Sequence, residues 1–128
     1  IILLMSMQPI FRRLEVHPKG WGEELWITNN YKYCGKILRF KQGSSFSMHY
    51  HIQKEETWCV TRGKLKFEYF NLETSERLEK EIVEGDTVHL KPCIPHKLTA
   101  LEDSDVFEVS TQHFNEDSYR IEKGSLQK

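Results

Sequence analysis

His49 and His51 flank a single tyrosine, and Glu56 follows five residues later, within a run that opens at Gly43 and closes at Gly63. On a β-strand alternate side chains share a face, so the two imidazoles are expected side by side. Two imidazoles and a carboxylate suit Zn, Fe(II), Mn or a neighbouring divalent metal. Another histidine, His96, closes the stretch that starts at Gly85. Two antiparallel strands, one carrying His49 and His51 and one carrying His96, would gather three imidazoles, with Glu56 completing the set. Such a set leaves metal positions open for substrate or water, as a catalytic centre requires.

The segments that must position these residues are short and rich in β-formers. Lys36 to Phe40, Glu56 to Thr61, Lys64 to Tyr69, Leu78 to Val83, Val88 to Leu90, Lys97 to Ala100 and Val106 to Ser110 are read as strands, with turns at Lys41 to Gly43, Arg62-Gly63, Asn71 to Ser75 and Glu84 to Asp86. Frequent strands with turns between them indicate an all-β sandwich or barrel. Only the tail after Phe114 is expected to carry a short helix.

Composition narrows the class. The 128 residues suffice for one domain with a core, and the net charge of −1 has acids and bases interspersed. No basic run marks a nucleic-acid surface. No apolar stretch approaches the roughly 20 residues of a membrane span. The apolar Ile1 to Met5 lacks a basic region and a cleavage site, so no signal peptide is expected, and Met5 or Met7 is read as the start. Cys34, Cys59 and Cys93 are odd in number and scattered, which points to a reducing, cytoplasmic setting.

The spacing resembles the cupin superfamily. Gly43, His49, His51, Glu56 and Gly63 match its first motif, G-x5-H-x-H-x4-E-x6-G. The second, G-x5-P-x-G-x2-H-x3-N, is met at Gly85 and His96, while Lys91, Cys93 and Ala100 stand at its proline, glycine and asparagine positions. Lys19 to Gly22, Phe107 to Thr111 and Asn115 to Glu122 are similar to the cupin domain of type II mannose-6-phosphate isomerases. The resemblance implies a double-stranded β-helix, or jelly roll, over residues 18–128 with a short C-terminal tail. It implies a divalent metal (Zn, Mn, Fe or Ni) on His49, His51, Glu56 and His96, and catalytic roles for Glu108 and Arg120. The substrate it implies is a sugar or sugar phosphate, isomerised between aldose and ketose. An Fe(II) dioxygenase-type cupin and a non-catalytic module for a sugar or small anion are the alternatives. Glu108 and Arg120 facing the cavity would favour the isomerase, a dry apolar pocket the dioxygenase, and a closed pocket the binding module. Trp21, Trp26, Trp58 and Tyr69 are the aromatics expected to line the pocket.

Other residues have plainer readings. His89 is expected to be a structural histidine, His17 and His113 surface residues, and Cys93 an idle thiol near the cavity mouth. Phe46, Met48 and Tyr50 alternate with the metal histidines, so they are expected on the outer face of the strand. An outward apolar row needs a cover. A homodimer is therefore expected, with residues 1–17 adding a strand to the neighbour's sheet edge.

Overall fold

The computed structural model describes residues 7–125, which form eleven strands and no helix. They are β1 (Glu15–Lys19), β2 (Gly22–Asn29), β3 (Cys34–Phe40), β4 (Met48–Tyr50), β5 (Glu56–Arg62), β6 (Lys64–Phe70), β7 (Arg77–Val83), β8 (Thr87–Leu90), β9 (His96–Ala100), β10 (Ser104–Ser110) and β11 (Tyr119–Glu122). Two antiparallel sheets face each other, one in the order β1-β2-β3-β10-β5-β8 and the other β11-β4-β9-β6-β7. This is the jelly roll the sequence led us to expect. Gly63 makes the sharp turn from β5 to β6 at φ 91°, where a Cβ would lie 2.2 Å from Ser104 Oγ. The last glycine of the first motif is therefore required by the backbone.

The inward rows change character along each strand. On β3 the row runs Lys36, Leu38, Phe40; on β5, Glu56, Trp58, Val60; on β9, His96, Leu98, Ala100; and all nine residues are buried. Register aligns the like ends, because Leu38 and Val60 both face Val106 on β10, while Leu98 faces Phe67 and Ala100 faces Leu65. The apolar ends form one core with Trp21, Phe46, Ile82 and Leu90. Burying each large apolar side chain there contributes roughly 1.5–3 kcal/mol. The polar ends meet at the opposite end of the barrel and line a cavity.

Three expectations are corrected. The tail after Phe114 forms no helix; Tyr119–Glu122 instead pairs with β4, and Tyr119 stacks on Tyr50 at 5.2 Å. Pairing to an open sheet edge outweighs local preference in so short a segment. Phe46 is not outward: it is 7% exposed, and its ring lies 5.1 Å from that of His49. Regular strand begins only at Met48, after an isolated bridge at Ser45, so the alternation does not extend back to Phe46. Met48 is fully buried and Tyr50 is half-buried, which removes the outward row that argued for a dimer. Residues 15–19 pair as β1 with β2 of the same chain, and residues 1–6 of the segment expected to exchange lie outside the described residues.

Candidate metal centre and its cavity

His49 on β4 faces His96 on β9 directly in register. His51 lies just past the end of β4, and its ring centroid is 4.9 Å from that of His49 and 5.4 Å from that of His96. One ligand nitrogen from each of the three lies within 4.8 Å of the others, so together they could hold a metal ion. Each ring is oriented by a backbone carbonyl. Nδ1 donates to Ser47 O at 2.7 Å in His49, to Asp117 O at 2.6 Å in His51 and to Ile94 O at 2.8 Å in His96. That arrangement fixes the tautomer and leaves each Nε2 with its lone pair, the usual setting of a metal-ligating histidine.

Burial keeps the rings uncharged. It pushes the pKa of His49 down to about 3, helped by His96, and that of His51 down to about 2, helped by Lys54. His96 is pushed down to about 4, again chiefly by burial. Neutral imidazole is the form that binds metal.

Glu56 lies beside these rings. Its Oε1 accepts from Trp58 Nε1, whereas Oε2 is buried and has no hydrogen-bond partner. That oxygen lies 3.3 Å from His51 Nε2 and 3.9 Å from His96 Nε2. An orphaned buried carboxylate oxygen is costly on its own. Beside the nitrogens of His51 and His96 it is a further donor that would suit a divalent cation, so the residues present fit the group.

The facing wall carries paired charges. Lys54 Nζ lies 3.1 Å from Glu108 Oε2 and 3.7 Å from Glu56 Oε2. Burial alone would lower the Lys54 pKa, but Glu108 and Glu56 outweigh it and hold the ammonium above its usual range. Glu108 Oε2 also accepts from Ser110 Oγ at 3.0 Å, while Oε1 has no donor among the described residues. Glu24 and Lys36 make a second pair at 3.1 Å. The pKa of Glu24, which burial would raise, is drawn down to about 2, mainly by Lys36.

These groups share one cavity of about 390 Å³. His49, His51, Glu56, His96, Glu108 and Arg120 all line it, so the structure brings together every site residue expected from sequence. Arg120 arrives on β11 opposite His49. A register shift after it turns Glu122 to the other side, onto Arg77 and Lys97. Of the four expected aromatics, Trp21 and Trp58 line the cavity and Trp26 and Tyr69 do not.

His113, read as a surface residue, is a cavity residue within 3.3 Å of Lys54 Nζ. Burial, together with Lys36 and Lys54, lowers its pKa to about 4. Cys93 is exposed and is not part of the lining. It sits where the second motif has glycine, and its backbone keeps a glycine-like φ of 74°. Its N–H donates to His51 O at 2.6 Å, so the turn survives the change of residue.

Sequence reasoning missed Asp117. Its carboxylate accepts the backbone N–H groups of Ile52, Gln53 and Lys54 at 2.8–3.1 Å, while its own carbonyl holds the His51 ring. One residue thus fixes both His51 and the loop that aims Lys54. Burial would raise its pKa, but the three N–H donors outweigh that and lower it.

No protein-family model and no curated protein sequence matches the chain. Solved structures match its fold. Oxalate decarboxylase from Bacillus subtilis superposes with a TM-score of 0.75 at 15% identity, over 84% of this chain and 30% of that one. CapF, solved with the inhibitor 3-isopropenyl-tropolone, gives 0.75 at 17% identity, over 92% of this chain and 37% of that one. The chain has the cupin fold. Lactobacillus farciminis oxalate decarboxylase, in a formate complex, gives 0.74 at 17% identity, over 84% of this chain and 34% of that one. The chain spans about a third of the length of these proteins. The Bacillus subtilis enzyme carries Mn(II) centres; this chain has a three-histidine cluster that could bind a divalent metal. Among the described residues no helix is long and apolar enough to cross a membrane.

Proposed function

We propose that this cupin is a metal-dependent isomerase interconverting an aldose and a ketose, with a sugar phosphate as substrate. The observation that carries this reading is the charged wall opposite the imidazoles, where Glu108 and Lys54 line the same cavity as the three histidines, with Arg120 beside His49. A divalent metal held by His49, His51, His96 and Glu56 would polarise the carbonyl and hydroxyl oxygens of the sugar. Isomerisation also needs a base to take a proton from one carbon and return it to the next. Glu108 fits that task, because Lys54 and Ser110 hold Oε2 and leave Oε1 without a donor. Lys54 offsets the negative charge of both Glu56 and Glu108. Arg120 lines the cavity from β11, and a guanidinium fork suits phosphate oxygens.

The charged lining disfavours the dioxygenase alternative, which calls for a dry apolar pocket, and the open cavity disfavours a closed binding module. The decarboxylase neighbours share the fold alone, so oxalate is not carried over to this chain. Homodimer formation, proposed from sequence, keeps as support the exposed Ile10, Phe11, Leu14 and Val16. A monomer in light scattering at micromolar concentration would remove it.

The test is incubation with mannose 6-phosphate in D₂O and Mn, Zn, Fe or Ni, followed by NMR. Ketose carrying deuterium at C1, and re-formed aldose carrying it at C2, are expected. No exchange with any of the four metals would overturn the isomerase.

A further inference from the structure

The Glu24–Lys36 pair has no part in the proton transfer, yet it sits in the cavity wall. Lys36 is 1% exposed. Its Nζ lies 3.1 Å from Glu24 Oε1 and 4.3 Å from the centroid of the Trp26 ring. Glu24 Oε1 also accepts from Trp26 Nε1 at 2.8 Å, so Oε1 takes both donors and Oε2 takes none among the described residues. A buried ion pair is a poor way to stabilise a fold, since apolar residues of similar volume do as well or better. Lysine is almost never buried this fully without a specific partner.

We propose that Glu24 and Lys36 form a hydroxyl-binding subsite for the non-reacting part of a polyhydroxylated ligand. An ammonium only donates and a carboxylate only accepts, whereas a hydroxyl does both. Vicinal hydroxyls can accept from the remaining N–H groups of Lys36 and donate to Glu24 Oε2. A phosphate or carboxylate would meet Lys36 but be opposed by Glu24, so the anionic end of the ligand belongs elsewhere in the cavity. The register gives the span. Lys36 on β3 faces Glu108 on β10, and β10 lies between β3 and β5, the strand of Glu56. Two strand spacings are roughly 10 Å, which an extended chain of several hydroxylated carbons can bridge. The subsite rests on the sugar-phosphate reading for its ligand class but not on turnover.

The experiment is calorimetric titration of the Mn(II)-loaded protein with mannitol 1-phosphate, which cannot isomerise, and with inorganic phosphate. Lys36→Met and the isosteric Glu24→Gln are compared with the unaltered protein after circular dichroism and metal content show both variants intact. Should Lys36→Met fail to fold, Glu24→Gln carries the test. The unaltered protein is expected to bind the hexitol phosphate more tightly than phosphate. Each substitution is expected to weaken the hexitol phosphate at least tenfold and to leave phosphate within twofold. An equal loss for both probes would assign the pair to the anion, and no loss for either would make it wall only; both results overturn the proposal, as does equal affinity of the unaltered protein for the two probes. If the expected pattern appears while the deuterium exchange above is absent, the isomerase fails and the subsite stands.

Discussion

The two sheets offer the cavity different chemistry. The smaller sheet contributes His49 and His96, uncharged rings each held by a carbonyl, with His51 just beyond its β4 and Arg120 on β11. The larger sheet contributes Glu24, Lys36, Glu56 and Glu108, with Lys54 from the loop before β5. In the proposed reading the uncharged rings would hold a cation, and the charged groups of the larger sheet would move protons and bind polar groups. Glu56 belongs to both, because it stands on the charged wall with its free oxygen turned to the imidazoles. The comparison implies that binding a metal and acting on a substrate are separable by mutation.

The largest separation is expected from Glu108→Gln. Losing the proton carrier should lower turnover by about 10²–10⁴-fold with metal content unchanged. Loss of metal together with activity would place Glu108 on the wrong side of the comparison. Asp117→Ala should act on the imidazole side, because it frees the loop through His51 and Lys54 and strands three backbone N–H groups. A stability loss of about 1–3 kcal/mol and a metal affinity weaker by about 10–100-fold are expected, read by denaturant unfolding and competition with a chelator.

Acid should act on the buried imidazoles, His113 among them. In the metal-free protein burial lowers the pKa of His49, His51 and His96 to about 3, 2 and 4, from 6.5. The unfolded chain therefore binds more protons below pH 6.5. Their stabilising contribution is fully present above that pH and is lost as the pH falls towards 4. The thermal midpoint in chelator should drop across this window, and a flat midpoint would contradict the buried neutral rings. The smallest effect is expected at Cys93→Gly. Glycine relieves the φ of 74° but adds freedom to the unfolded chain, so stability should rise by no more than about 1 kcal/mol. Clear destabilisation would mean that the thiol packs in a way the turn does not show.

The metal side was legible in sequence because its residues sit at fixed local spacings around glycines the backbone needs. The charged wall was only half legible. Period-2 alternation says which residues share a face, not which face is inside. Lys36 shares the face of Leu38 and Phe40, and Glu108 that of Val106; a charge continuing an apolar row was the available signal. Glu24 gave less, since β2 has a register shift after Trp26. Asp117 acts through backbone N–H groups, which leave no spacing to read. The outward reading of Phe46 failed because alternation was extended beyond the three residues that form β4.

The most direct test is metal analysis of protein purified without chelator or a metal-affinity column, for the unaltered chain and His49→Ala. One divalent ion per chain in the first and essentially none in the second is expected. Equal metal content in the two would show that the cation is not held where the three imidazoles meet.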